Sequence, residues 1–149
     1  MDVRTWYIKL NCNIFVYCPY NKLKPKAMEK IEITISQELT PQDINDIVST
    51  ALEGGINYWC GGAIIKDVPA KAEGKYDFAS DVISVGGTLE LYDAESPDRW
   101  ELNLEKLLNG IKMHCTKIGK TPLELMDDYD ACDADCIVQY AVMGEIVFG

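Results

Sequence analysis

The chain's patterning predicts a single α+β domain, a mostly antiparallel sheet with two or three helices packed against it. Three observations carry that expectation. Apolar and polar residues alternate over 31–36, 88–92 and 100–104, the period of a half-buried strand. Apolar residues recur at spacings of three and four over 44–52, 104–115 and 134–143, the period of a helix with one buried face. Helix-start pairs, Thr40-Pro41 and Thr121-Pro122, stand outside those runs. At 149 residues, 48% of them apolar, the chain is long enough to bury one proper core.

Each element follows from local chemistry. Residues 5–10 and 14–18 are aromatic and β-branched and read as two short strands, with a basic linker to Pro25. Ile31, Ile33 and Ile35 share one face of a strand over 31–36. Thr40 is the expected N-cap of a helix with Pro41 in its first turn and Asp43 favourably placed near its positive end. Ile44, Ile47, Val48, Ala51 and Leu52 form its buried face, and Gly54-Gly55 ends it. Residues 56–60 read as a strand, followed by a bulge or turn at Gly61-Gly62 and a continuing strand from Ala63. Residues 69–80 read as a polar surface excursion, and 81–85 as one helical turn before Gly86-Gly87.

A β-hairpin is expected over 88–103, turning through Asp93-Ala-Glu-Ser-Pro-Asp-Arg. Asn103 caps the next helix, which holds Leu104, Leu107, Leu108, Ile111 and Cys115, with Gly110 costing about 1 kcal/mol inside it. A short helix follows Thr121-Pro122. A last helix spans about 134–143 and stops at Gly144, and residues 146–148 read as a closing strand. No internal repeat is visible.

Charge divides the chain at Met28. Residues 1–27 hold Arg4, Lys9, Lys22, Lys24 and Lys26 against Asp2, while residues 28–149 hold 9 basic and 23 acidic side chains. The first segment is therefore either a basic extension or a sequence upstream of a true start at Met28. A surface as acidic as that of 28–149 repels nucleic acid and anionic lipid and favours basic partners. No apolar run approaches the ~20 residues of a membrane span, and the N-terminal stretch has no signal-peptide pattern. The chain reads as intracellular, with Cys12, Cys18, Cys60, Cys115, Cys132 and Cys136 as thiols.

The strings Ala51-Leu-Glu-Gly-Gly-Ile-Asn-Tyr-Trp-Cys60, Gly86-Gly-Thr-Leu-Glu-Leu-Tyr-Asp-Ala-Glu95, Asp133-Ala-Asp-Cys-Ile-Val-Gln-Tyr-Ala141 and Gly144-Glu-Ile-Val-Phe-Gly149 resemble a family of small proteins encoded by bacteriophages and prophages of gut Firmicutes. The resemblance covers about 28–149. It implies context rather than chemistry: a small accessory protein made in the cytoplasm of an infected bacterium.

The candidate sites are weighed against ordinary structural roles. Cys132 and Cys136 stand four apart, and with Cys60 and Cys115 they supply the thiols for a zinc site, but no Cys-x-x-Cys pair exists and core packing is the competing role. The acidic run from Asp127 to Asp135 lacks the sixth-position glycine and twelfth-position glutamate of an EF-hand. His114 stands beside Cys115 on a helix, where adjacent side chains diverge by about 100° and make no dyad. The glycine pairs match neither a dinucleotide fingerprint nor a P-loop. No cofactor and no catalytic residue is indicated.

The expected function is non-enzymatic: an anti-CRISPR-like inhibitor of a host defence system. Carboxylates spaced over a rigid fold take the place of phosphates on a basic nuclease, such as an RNA-guided effector. The expected contact residues are Asp127, Asp128, Asp130, Asp133 and Asp135, then Asp93, Glu95 and Asp98 at the hairpin tip. The alternative is a homo-oligomeric sponge for a nucleotide immune signal. Its pocket would lie near Tyr58, Trp59, Gly86 and Arg99, with an aromatic ring stacked on the base.

Overall fold

The computed structural model describes residues 36–149. The strands expected at 5–10 and 14–18, and all but Ser36 of the one expected at 31–36, lie outside them.

Helix α1 (Pro41–Thr50) starts where the sequence predicts. The Asp43 backbone N–H donates to Thr40 Oγ1, and Asp43 Oδ2 accepts from the Thr40 backbone at 2.7 Å. This reciprocal box satisfies two otherwise orphaned donors. The helix widens into a π turn over Ala51–Gly55. A Cβ on Gly55 would sit 2.7 Å from the Ala131 carbonyl oxygen, so glycine is what lets this turn rest on the last helix.

Residues 56–59 form a turn and not a strand: the N–H groups of Trp59 and Cys60 both donate to the Ile56 carbonyl, at 3.1 and 2.8 Å. Strand β1 (Cys60–Asp67) continues past Gly61-Gly62 with the expected irregularity there, a register shift between Cys60 and Gly62, and a second shift between Ile65 and Asp67. The excursion at 69–80 holds two short 3₁₀ turns, Ala70–Ala72 and Ala79–Val82. Strands β2 (Thr88–Asp93) and β3 (Arg99–Asn103) make the expected hairpin, pairing Leu91 with Trp100 and Leu89 with Leu102. The described sheet is antiparallel throughout, in the order β1-β2-β3.

Helix α2 (Leu104–Ile118) is capped by Asn103, whose Oδ1 accepts from the Lys106 N–H, and it runs one turn past the predicted Cys115 to Gly119. Helix α3 (Pro122–Asp127) repeats the Thr-Pro start with a box between Thr121 and Glu124. Helix α4 (Ala131–Met143) begins three residues before its predicted start, because Asp130 caps it and Asp133 closes that box. Residues 146–148 join no strand.

The domain is two layers, helices on one face of a sheet. Leu89, Leu91 and Leu102 bury against Ile44, Ile47 and Val48 of α1, Leu107 and Ile111 of α2, and Ile137 and Val138 of α4. Helices α2 and α4 meet at Gly110, where an added Cβ would lie 2.3 Å from the Ile137 carbonyl oxygen. Among the described residues, no helix is long and apolar enough to cross a membrane.

Candidate functional site

The carboxylates expected to act together separate into two groups. Asp127 and Asp128 end α3, and Asp130 starts α4; all three are exposed. Tyr129 between them turns inward, its hydroxyl 3.5 Å from Thr50 Oγ1 at the end of α1. Gly55 rests against Ala131, so the π turn that carries exposed Glu53 packs on the start of α4. The nearest cation paired there is Lys120, 4.0 Å from Asp128 and exposed, a contact worth little in water.

Asp135 belongs to the interior, and Asp133 is half-buried. Asp133 Oδ2 accepts from the Asp130 N–H at 3.2 Å, and its Oδ1 accepts from Nε2 of His114 at 2.6 Å. His114, only 4% exposed, is thus a buried histidine tying α2 to the start of α4. Cys115 beside it is buried, and burial foremost pushes its thiol up to about 11, with the Asp133 charge adding to the effect. A thiol held neutral in this way is no nucleophile.

Asp135 is 8% exposed and accepts from three side chains: the Tyr58 hydroxyl at 2.9 Å, Trp59 Nε1 at 2.7 Å and Gln139 Nε2 at 3.0 Å. Gln139, fully buried, extends the network to the C-terminus. Its Oε1 accepts from the N–H groups of Val147 and Phe148, and its Nε2 donates to the Phe148 carbonyl. One side chain thereby replaces the neighbouring strand that residues 146–148 lack. The Phe148 ring stacks on Trp59 at 5.1 Å between centroids, and Trp100 packs edge-on to both.

This arrangement denies the four residues of the expected nucleotide pocket a common site. Trp59 is a core residue, 3% exposed, with its indole covered by Phe148 and Trp100. Gly86 precedes β2, whereas Arg99 pairs with Tyr92 toward the far end of that strand, about 13 Å beyond Thr88 at the usual strand rise. Arg99 lies on the solvent face of the sheet, its guanidinium 5.5 Å from the Tyr92 ring centre and 3.1 Å from Glu90. Lys66 joins that face by pairing with Glu101. Each of these two charges holds the other in its ionised form: the Lys66 ammonium is raised and the Glu101 carboxyl lowered by their hydrogen bond.

At the hairpin tip, Asp93 folds back on its own turn. Its Oδ1 accepts from the N–H groups of Glu95 and Ser96, both at 2.7 Å. Glu95 and Asp98 remain exposed. The four described cysteines do not converge either. Cys60 and Cys115 are buried, Cys132 and Cys136 lie on α4, and among the described residues no three Cys, His, Asp or Glu side chains are placed to hold a metal.

Tyr58 gives a pH prediction. The residue is 57% exposed, but its hydroxyl hydrogen-bonds with Asp135 and Gln139. Burial first, and the hydrogen bond to Asp135 second, raise its ionisation to about 12. The unfolded value is about 10, so the neutral form is the one the fold favours. The associated stability is present below pH 10 and is lost as pH rises from 10 to 12. Spectrophotometric titration of Tyr58→Phe against the parent should remove one late-ionising tyrosine and flatten the stability loss over that window. Loss instead of a tyrosine that ionises near the ordinary value of about 10 would place the hydroxyl in water.

Gln139 was not legible as a site residue, although its i, i+4 relation to Asp135 on a helix is the one signal the sequence offers. Compared with protein-family models, curated proteins and solved structures, the chain matches none of them.

Proposed function

We propose that this protein is a non-enzymatic inhibitor that occupies the basic nucleic-acid-binding surface of a nuclease, with an RNA-guided effector of bacterial defence as the target class and a phage-infected cell as the setting. The observation that carries this reading is the corner formed by Asp127, Asp128, Asp130 and Glu53. These exposed carboxylates are held on helix ends and a π turn, elements fixed by capping and by backbone packing. Residues 36–149 hold 21 acidic and 8 basic side chains. Two of the cations, Lys66 and Arg99, are used on the sheet face, and among the described residues Lys120 is the one paired with an acid of the helical corner. A rigid anionic surface imitates a phosphate backbone without ordering cost and steers association with a basic groove.

The variant that tests this is Glu53→Lys/Asp127→Lys/Asp128→Lys. It spares Asp133 and Asp135, whose charges serve the interior, and Asp130, whose carboxylate caps α4. Stopped-flow association with a purified RNA-guided nuclease at low ionic strength should slow by roughly 10- to 100-fold, and the rate should lose its steep dependence on salt. Equal rates and equal affinity for the variant and the parent would dismiss the corner as the contact.

A further inference from the structure

Cys132 and Cys136 are unlike the other described cysteines. Cys60 and Cys115 are buried in the core, whereas Cys132 is exposed and Cys136 half-buried. Both stand on α4, one turn apart, so their side chains lie on the same side of a rigid helix with Cβ atoms roughly 5–6 Å from each other. That separation is too long for a disulfide, whose Cβ atoms lie about 3.8 Å apart. It suits two sulfurs bridged through a third atom, since two bonds of roughly 2.3 Å span up to about 4.6 Å between sulfurs. The pair is therefore a preorganised dithiol that its own helix prevents from closing on itself.

The surroundings select what such a bridge can be. No third Cys, His, Asp or Glu among the described residues joins the pair, so a four-ligand zinc site is not available from this face. Cys136 is half-buried with Asp133 and Asp135 on the same helix, surroundings that raise its thiol and favour a neutral product over an anionic one. A copper(I) bis-thiolate would carry one negative charge, whereas a trivalent arsenic centre bound by two thiolates is neutral. Soft, thiophilic centres prefer sulfur to the nearby carboxylates.

We propose that Cys132 and Cys136 form a chelating site for trivalent arsenicals on the exposed side of α4. With an aryl arsine oxide the step balances without any oxidant: two As–S bonds form, the As=O bond breaks, and the two thiol protons leave with the oxide oxygen as water. Arsenic remains trivalent and both sulfurs remain at the thiol oxidation level.

The test uses the full chain and phenylarsine oxide, read by intact-protein mass spectrometry and by competition with glutathione and with a 1,2-dithiol. Expected is one arsenical per native chain, resistant to glutathione and released by the dithiol. It should be retained in Cys12→Ser/Cys18→Ser and weakened about 100-fold or more in Cys132→Ser or Cys136→Ser, because each variant removes chelation. Cys136→Ala serves as a second variant if the serine at this half-buried position lowers stability. Binding that survives either helical substitution undiminished, or that follows Cys12 and Cys18, would overturn the proposal.

Discussion

Replacing Gly110 by alanine is expected to destabilise the protein by about 3 kcal/mol, against the direction that helix propensity alone predicts. In an exposed helix the change would gain roughly 1 kcal/mol. Here the new methyl would lie 2.3 Å from the Ile137 carbonyl oxygen and 3.0 Å from Ala141 Cβ and backbone nitrogen. Two of those three atoms are backbone, and backbone does not rotate away. Helices α2 and α4 must separate along their main contact, opening gaps around Leu107, Ile111, Ile137 and Val138. Overpacking of this kind costs about 1–3 kcal/mol and occasionally more, and the loss of close packing adds to it. The melting temperature should fall by roughly 10 °C for a chain of this size. A rise in stability would mean that the two helices are not in contact at Gly110.

Replacing Gln139 by leucine is expected to be at least as damaging, although the side chains are similar in size. The substitution releases the N–H groups of Val147 and Phe148 to water and removes a donor from the buried Asp135 carboxylate. A buried group left without its partner costs about 1–3 kcal/mol, more when it is charged. The Phe148 backbone would be freed into water, and its ring would lose the restraint that keeps it stacked on Trp59. The expected outcome is a loss of about 3–5 kcal/mol, read by denaturant unfolding, with fast proteolysis after residue 144. Gln139→Glu separates size from hydrogen bonding: it keeps the shape but places a second carboxylate on Asp135, and it should destabilise the protein as well. Parent-like stability for both variants would show that the C-terminal segment is held by Phe148 alone.

The same residues show where sequence reasoning stops. Ile56, Tyr58, Trp59 and Cys60 are good strand formers, yet they make a turn. The alternation of a strand describes what packs on a sheet, whereas here Trp59 is aimed at Asp135, 76 positions away in the chain. Ile146, Val147 and Phe148 have strand chemistry too, and their backbone groups are satisfied by one glutamine side chain in place of a partner strand. Trp59 is closed off for a related reason: glycines beside an aromatic pair look like an open platform until Phe148 covers the indole.

The sequence by itself determined the α+β class, the hairpin over 88–103, and the starts of α1, α2 and α3. Those features rest on interactions within a few residues: a capping threonine with its acid three positions on, a proline in the first turn, a period of two or of three to four. It also determined the excess of negative charge, which no fold can change. Only the tertiary structure decided which carboxylates that excess presents to water. Asp127, Asp128 and Asp130 face out while Asp135 is buried and Asp133 half-buried, because His114, Tyr58 and Trp59 reach those two carboxylates from distant parts of the chain. Burial of a charge depends on donors brought together by folding, and local sequence carries no record of those distances.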